Sequence, residues 1–411
     1  MQISNPIFFF ALWGFFGLIA TGLSLLSGQK RTTVTSGEFY PGIEGLRGIL
    51  ALNVFFHHAV IAYFYFRTGN WDLPPSKLYA QLGALSVSMF FFITGFLFWS
   101  KRLATPNLSP GPFLLKRARR LMPAYLGSLA LIAIITAYQT NFSLRVPFHS
   151  LVAELGAWAI SGLAGFPNIN GFASAQINHT VFWTLRLEWE FYILLPFLGW
   201  FARRKGPLAI LLLCLIPNLV LGNIPAHGSQ ETFLARVQLF VLMTATCFSV
   251  GILAAHLKAE RKQWPLLKHP ACTLVAVLLL WCVVTYVDPL EGFAESALLA
   301  PIFLMVVYGN DFHGLLTSRA MMYLGKISYS VYLLHGIVLY VLVQGLAWHF
   351  HWVSLDPFAY WALMAVVGVV VILVASVSYR FLELPFLGKS AKKVEKPAIA
   401  VLAQPVSEAI E

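Results

Sequence analysis

Apolar residues come in long runs, near 7–27, 47–66, 80–99, 121–139, 181–201, 207–223, 234–256, 269–287, 292–309, 324–346 and 358–379. Each is close to the roughly 20 residues needed to cross the hydrocarbon layer of a membrane as a helix. The pattern predicts an all-α, polytopic integral membrane protein with eleven candidate spans. If alternate ends face the cytoplasm, the clusters Lys30-Arg31, Lys101 to Arg120, Arg203 to Lys205, Lys258 to Lys262, Arg319 to Lys326 and Lys389 to Lys396 all fall inside. The N-terminus is then outside and the C-terminus cytoplasmic. Ser150 to Phe166 is also apolar, but counting it as a span would carry Arg203, Arg204 and Lys205 outside, so it reads as interfacial or re-entrant. The loop PNINGFASAQINHT after it then stays outside. The first run has no basic segment before it and reads as a retained helix rather than a cleaved leader. Beyond Leu387 periodicity stops, and 389–411 reads as a flexible cytoplasmic tail. There is no internal repeat of the kind found in many transporters.

Composition agrees, with 58% hydrophobic and 11% charged residues among 411. A net charge of +11 could indicate a nucleic-acid binder. The cations sit in short loops between apolar runs, which excludes that class and matches the positive-inside pattern. Cys214, Cys247, Cys272 and Cys282 lie in or beside apolar runs without ligand spacing, so they read as packing and no metal is expected.

Two ionisable residues break the rule that charges stand at the ends of runs. Arg47 and His58 lie within GLRGILALNVFFHHAVIAYFYF. Eleven steps of about 100° bring them to one helix face about 16 Å apart, while His57 points about 80° away. Such residues persist in membranes when a bundle interior or a wet cavity uses them, although a histidine bonded to a neighbouring helix is the structural alternative.

Four further segments carry candidate chemistry. Arg117 and Arg120, in KRARRLMP, share a face and suit bidentate phosphate binding, or else anchor the topology. FFFITGF sets Thr94 and Gly95 among aromatics, allowing close approach of a helix or ligand. HTVFWTLRLEWEFY opens the fifth run, with Glu188 and Glu190 on different faces and one of them a partner for Arg186 or for an arginine elsewhere. GKISYSVYLLH buries a second histidine, His335, at mid-membrane. Arg380 and Glu383 close the last run and could pair at i, i+3.

In this order the segments resemble acyltransferase family 3 membrane proteins, the O-acyltransferases that modify cell-surface glycans. The resemblance covers about Phe39 to Leu387. The family's Arg-x10-His signature is matched by Arg47 and His58, its FF-x-x-SGF step by FFFITGF with Thr94 for serine, and its R-x-x-R-I-x-P element by Arg117 to Pro123. Its W-S-L-x-x-E-x-x-F-Y element appears as WTLRLEWEFY, placing Glu188 on the glutamate, and its late G-x-I-S-Y-x-x-Y-L-x-H element ends on His335. Departures at Thr94, Arg186, Trp189 and Glu190 bear on acceptor choice.

The resemblance implies ten core helices in an acyltransferase membrane domain over 39–388, with the first run and its cytoplasmic linker, 1–38, as an addition. It implies location in the cell inner (cytoplasmic) membrane and transfer of an acyl group, most often acetyl from acetyl-CoA, to a hydroxyl of a surface or lipid-linked glycan. Some relatives carry a fused SGNH-type esterase domain, for which this chain is too short. His58 would act as general base or acyl carrier, and Arg47 would meet the thioester oxygen or a phosphate. Arg117 and Arg120 would bind coenzyme A phosphates, while Glu188 and His335 would orient groups. A secondary transporter or exporter is the rival reading; it explains the buried charges but not the five elements in order.

Overall fold

The computed structural model describes residues 2–27, 39–105, 109–196, 198, 244–261, 263–289, 292–346 and 355–387. The expected span 207–223, residues 234–243 of the run 234–256, the clusters Lys30-Arg31, Arg203 to Lys205 and Lys389 to Lys396, Cys214 and the tail 389–411 lie outside the described residues. The architecture is all-helical, the only bridge among the described residues being Ile169 with Phe172. Numbered among those residues, the helices are α1 (Pro6–Leu26), α2 (Pro41–Thr68), α3 (Lys77–Ala104), α4 (Pro110–Gln139) and α5 (Phe148–Ala159). They continue with α6 (183–196), α7 (Ser249–Glu260), α8 (Cys272–Tyr286), α9 (Gly292–Val307), α10 (Arg319–Leu346) and α11 (Pro357–Ser378).

Six of these are long and apolar enough to cross a membrane: α1, α2, α3, α4, α10 and the stretch Pro357–Phe386 that includes α11. Burial sorts them. In α2, α3 and α10, 78% of the apolar window is inside the protein, against 17% in α1 and 33% in α4. The first three are therefore the centre, and the others present apolar side chains to lipid. At 12 residues, α5 rises only about 18 Å, short of the roughly 30 Å hydrocarbon layer.

Proline and small side chains shape the bundle. Pro6, Pro41, Pro110 and Pro357 each stand in the first turn of a helix, where the missing N–H would be unpaired anyway. α2 packs on α10 and on the turn before it with backbones nearly touching: a Cβ on Gly45 would lie 1.8 Å from the carbonyl oxygen of Leu316 in that turn, and one on Gly325 of α10 2.0 Å from that of Glu44. α3 and α7 meet in the same way at Gly95, where a Cβ would fall 2.4 Å from the Phe248 carbonyl oxygen. In lipid, packing and not water exclusion holds helices together, so such close crossings carry much of the association. α1 lies along this core, its Phe16 over Gly368 of α11 and the Ile3 carbonyl accepting from Trp361 Nε1 at 3.0 Å.

The last span ends differently from the expected Arg380–Glu383 pair. A wide turn at Tyr379–Glu383 replaces regular helix, and Glu383, 4% exposed, accepts from Ser330 of α10 instead. The changed register turns the carboxylate inward, away from i, i+3 pairing.

Candidate active site

Between α2, α3, α4, α6 and α10 lies a cavity of about 480 Å³. Arg47, Thr94, Arg117, Arg120 and Glu188 all line it, so residues singled out far apart in the sequence converge. In the FFFITGF step Gly95 admits the start of α7, and Thr94 lines the cavity. The Thr94 hydroxyl donates to Glu188 Oε1 at 3.0 Å, and the Tyr192 hydroxyl to Oε2 at 3.2 Å. Glu188 is thus held by two hydroxyls, while Arg186 pairs with Glu190 at 3.6 Å, one helical turn along. Arg47 and Arg117 act on the carboxylate electrostatically without an ion-pair contact.

The cavity's cations are not all neutralised. Arg47 is 3.3 Å from Glu44. Arg117 lies over the Phe98 ring, its guanidinium carbon 4.7 Å from the ring centroid, and its buried Nε has no hydrogen-bond partner. A stacked guanidinium with an unused donor is a ready site for a planar or tetrahedral anion. Lys101, Lys116 and Arg120 share the same lining.

His58 and His335 are outside this lining and form a separate centre. His335 Nδ1 is 3.0 Å from the Val331 carbonyl oxygen and His58 Nδ1 is 3.0 Å from that of Val54. A carbonyl only accepts, so both Nδ1 atoms carry the proton. His335 Nε2 is therefore a lone pair, and at 3.1 Å it accepts from His58 Nδ1–H. The consequence falls on His58, whose Nε2 is left unprotonated with its lone pair available. His57 turns to α3, where its Nδ1 donates to the Tyr79 carbonyl at 2.8 Å. Tyr332 joins the two regions: it lines the cavity, its ring is 6.0 Å from that of His335, and its hydroxyl is 2.6 Å from Thr184 Oγ1. Arg47 and His58 face the same way along α2 but serve different ends of it.

Sequence reasoning placed the loop between α5 and α6 outside without assigning His179 a role, and passed over the loop between α2 and α3. The former turns back into the bundle, fastened by Asn170, whose side chain accepts from Arg145 N at 2.7 Å and donates to the Ser143 carbonyl at 2.8 Å and to Thr140 Oγ1 at 3.0 Å. Its tip reaches α10, where Gly336 gives room for Asn178. The next residue, His179, is 4% exposed, with its ring 5.5 Å from that of His58. Burial, and then the imidazoles of His335 and His57, push its pKa down to about 3, so it is neutral at any ordinary pH. Trp71, on the α2–α3 loop, lies 4.7 Å from His179 and 6.4 Å from His58. Neither position has a periodic signal, and only the fact that both loops carry aromatic or ionisable residues could have marked them. Among the described residues, no three His, Cys, Asp or Glu side chains are placed to hold a metal ion.

A largely apolar cavity with arginine and lysine side chains in its walls, set inside a bundle of apolar helices, defines a multi-pass membrane protein with an internal site. The chain belongs to acyltransferase family 3, whose acyltransferase domain matches residues 40–377. α1 lies outside the matched region. The chain is 26% identical over 377 residues to the "Putative peptidoglycan O-acetyltransferase YrhL" of Bacillus subtilis (strain 168), covering 85% of this chain and 55% of that protein. It is also 26% identical over 290 residues to "Nodulation protein 10" of Rhizobium leguminosarum bv. viciae, covering 66% and 75%. A "Putative O-acetyltransferase" of Staphylococcus aureus (strain COL) is 21% identical over 403 residues, covering 86% and 58%. The chain therefore spans little more than half the length of two of these three relatives. No solved structure matches it.

Proposed function

We propose that this protein is an inner-membrane O-acyltransferase that moves acetyl from acetyl-CoA to a hydroxyl of a surface or lipid-linked glycan. The observation that carries the reading is the convergence of Arg47, Arg117 and Arg120 on one buried cavity within the acyltransferase match. Two relatives whose names specify O-acetyl transfer support acetyl as the group and, in one, peptidoglycan as the acceptor. In this reading the chain crosses the membrane eleven times, ten in the core over 39–388, with its C-terminus in the cytoplasm and the cationic cavity facing the same side.

Coenzyme A is polyanionic. Arg117, with its unused Nε, and Arg120 take its phosphates through charge-assisted hydrogen bonds. Of the two roles open to Arg47, the phosphate role fits better, because it shares the cavity with Arg117 and stands about 16 Å along α2 from His58. Glu188, fixed by Thr94 and Tyr192, balances the cations and keeps the narrow thioester arm on one wall. In this reading the acetyl end lies beside the 2.6 Å Thr184–Tyr332 contact, which stands between the cavity and the histidines and would part to admit it.

There His58 Nε2 takes the proton of the acceptor hydroxyl. The oxygen attacks the thioester carbonyl, the C–S bond breaks as the C–O ester bond forms, and the proton leaves with the thiolate as the free thiol. The same lone pair would serve if the acetyl rested briefly on imidazole. His335 acts through His58, by holding its tautomer. Mass spectrometry of surface glycans with and without the gene tests the reading: acetyl esters that depend on the gene and on acetyl-CoA are expected. Solute movement without thioester consumption would replace it with transport.

A further inference from the structure

We propose that Trp71 and His179 form the sugar-binding subsite for the acceptor, on the face of His58 away from the donor cavity. This rests on the acyltransfer reading above and adds the place where the glycan docks. Three observations converge on it. Trp71 is half-buried on the short α2–α3 loop, its ring inclined 25° to that of His58 and 69° to that of His179, so one indole neighbours both imidazoles. Its neighbours Asn70 and Asp72 are exposed, which leaves the loop open to a large ligand. His179 is the second observation: 4% exposed, its Nδ1 is buried with no hydrogen-bond partner. A buried polar atom left unpaired has a free-energy cost that a ligand hydroxyl can remove. The third is backbone conformation. His179 and Thr180 both hold positive φ, 54° and 58°, as two other consecutive pairs in the described loops do, and this left-handed turn sets the direction in which the His179 side chain leaves the backbone.

The chemistry these groups would recognise is a carbohydrate. A pyranose presents a face of C–H bonds to an aromatic ring and hydroxyls at its rim, and a flat indole beside a neutral imidazole complements both. With the ring on Trp71 and one hydroxyl bonded to His179 Nδ1, an adjacent hydroxyl comes within reach of His58 Nε2. Donor and acceptor then approach His58 from opposite directions, which fits the absence of Trp71 and His179 from the cavity lining.

The test uses membranes carrying the full chain, with acetyl-CoA as donor and soluble peptidoglycan fragments as acceptor. Rates are measured against each substrate in turn for wild type, Trp71→Ala, Trp71→Phe and His179→Gln, and quenching of tryptophan fluorescence by the fragments is followed without donor. The expected result is a rise of about tenfold in the acceptor KM for Trp71→Ala. Trp71→Phe should recover part of it, and the acetyl-CoA KM should stay within about twofold. His179→Gln should likewise act on the acceptor side. An acceptor KM unchanged in Trp71→Ala and His179→Gln, or both KM values rising together, would overturn the subsite. Quenching that is lost in Trp71→Phe while wild type transfers no acetyl would uphold the subsite and refute the acyltransfer reading; absence of quenching in wild type would overturn the subsite.

Discussion

Replacing Arg117 by Lys separates a donor-binding role from a topological one. The charge and the positive-inside signal remain, but the planar fork and its stacking on Phe98 at 4.7 Å are lost. Arg117 brings an Nε with no protein partner, so a bound phosphate is the group that would use it. Lysine would forfeit one or two charge-assisted hydrogen bonds, each contributing about 1.5 kcal/mol, or about 1.5–3 kcal/mol in all. That corresponds to an increase in the acetyl-CoA KM of about 10- to 100-fold, with the acceptor KM little changed. Arg120→Lys should cost less, under about tenfold, because no stacked ring or buried unpaired atom marks Arg120. The assay is transfer rate against acetyl-CoA concentration in membranes at matched expression. The same concentration dependence in Arg117→Lys and wild type would refute the phosphate role and leave the cluster as a topology signal.

His57→Ala should slow transfer far less than His58→Ala, because His57 is occupied by the Tyr79 carbonyl and faces α3; comparable losses in the two variants, measured as kcat, would contradict the tautomer argument. Gly325→Val should prevent stable assembly, since a Cβ there meets the Glu44 carbonyl oxygen at 2.0 Å, at a cost of at least about 1–3 kcal/mol; thermal melting of detergent-solubilised protein checks it, and an unchanged Tm would refute the close crossing. A reporter inserted beside Asn168 should read outside and one fused after Lys396 cytoplasmic, whereas a cytoplasmic reading at Asn168 would mean that the region of α5 spans after all.

Hydropathy reveals helices because the membrane demands it of every spanning segment, and so α2, α3 and α10 were legible to within a few residues. The ionisable residues were legible for the same reason: Arg47, His58, Glu188 and His335 each interrupt an apolar run. Their partners were not. Thr94 is 94 residues from Glu188 and His58 is 277 from His335, and no local pattern encodes such pairings. The choice of Arg186 for Glu190 follows from one-turn spacing, leaving Glu188 to hydroxyls on α3 and on its own helix. The Glu383 contact depended on a wide turn, whose register a regular helical wheel misplaces. Trp71 and His179 sit on loops, where position is set by anchors such as Asn170 and not by periodicity.

The central claim is that His58, held in one tautomer by His335, is the base in transfer from acetyl-CoA to a glycan hydroxyl. It is tested most directly by following labelled acetyl from acetyl-CoA into glycan in membranes bearing wild type or His58→Ala at equal abundance. The account predicts labelled glycan with wild type and a rate lower by about 100- to 10,000-fold in the variant. A His58→Ala rate equal to that of wild type would contradict it.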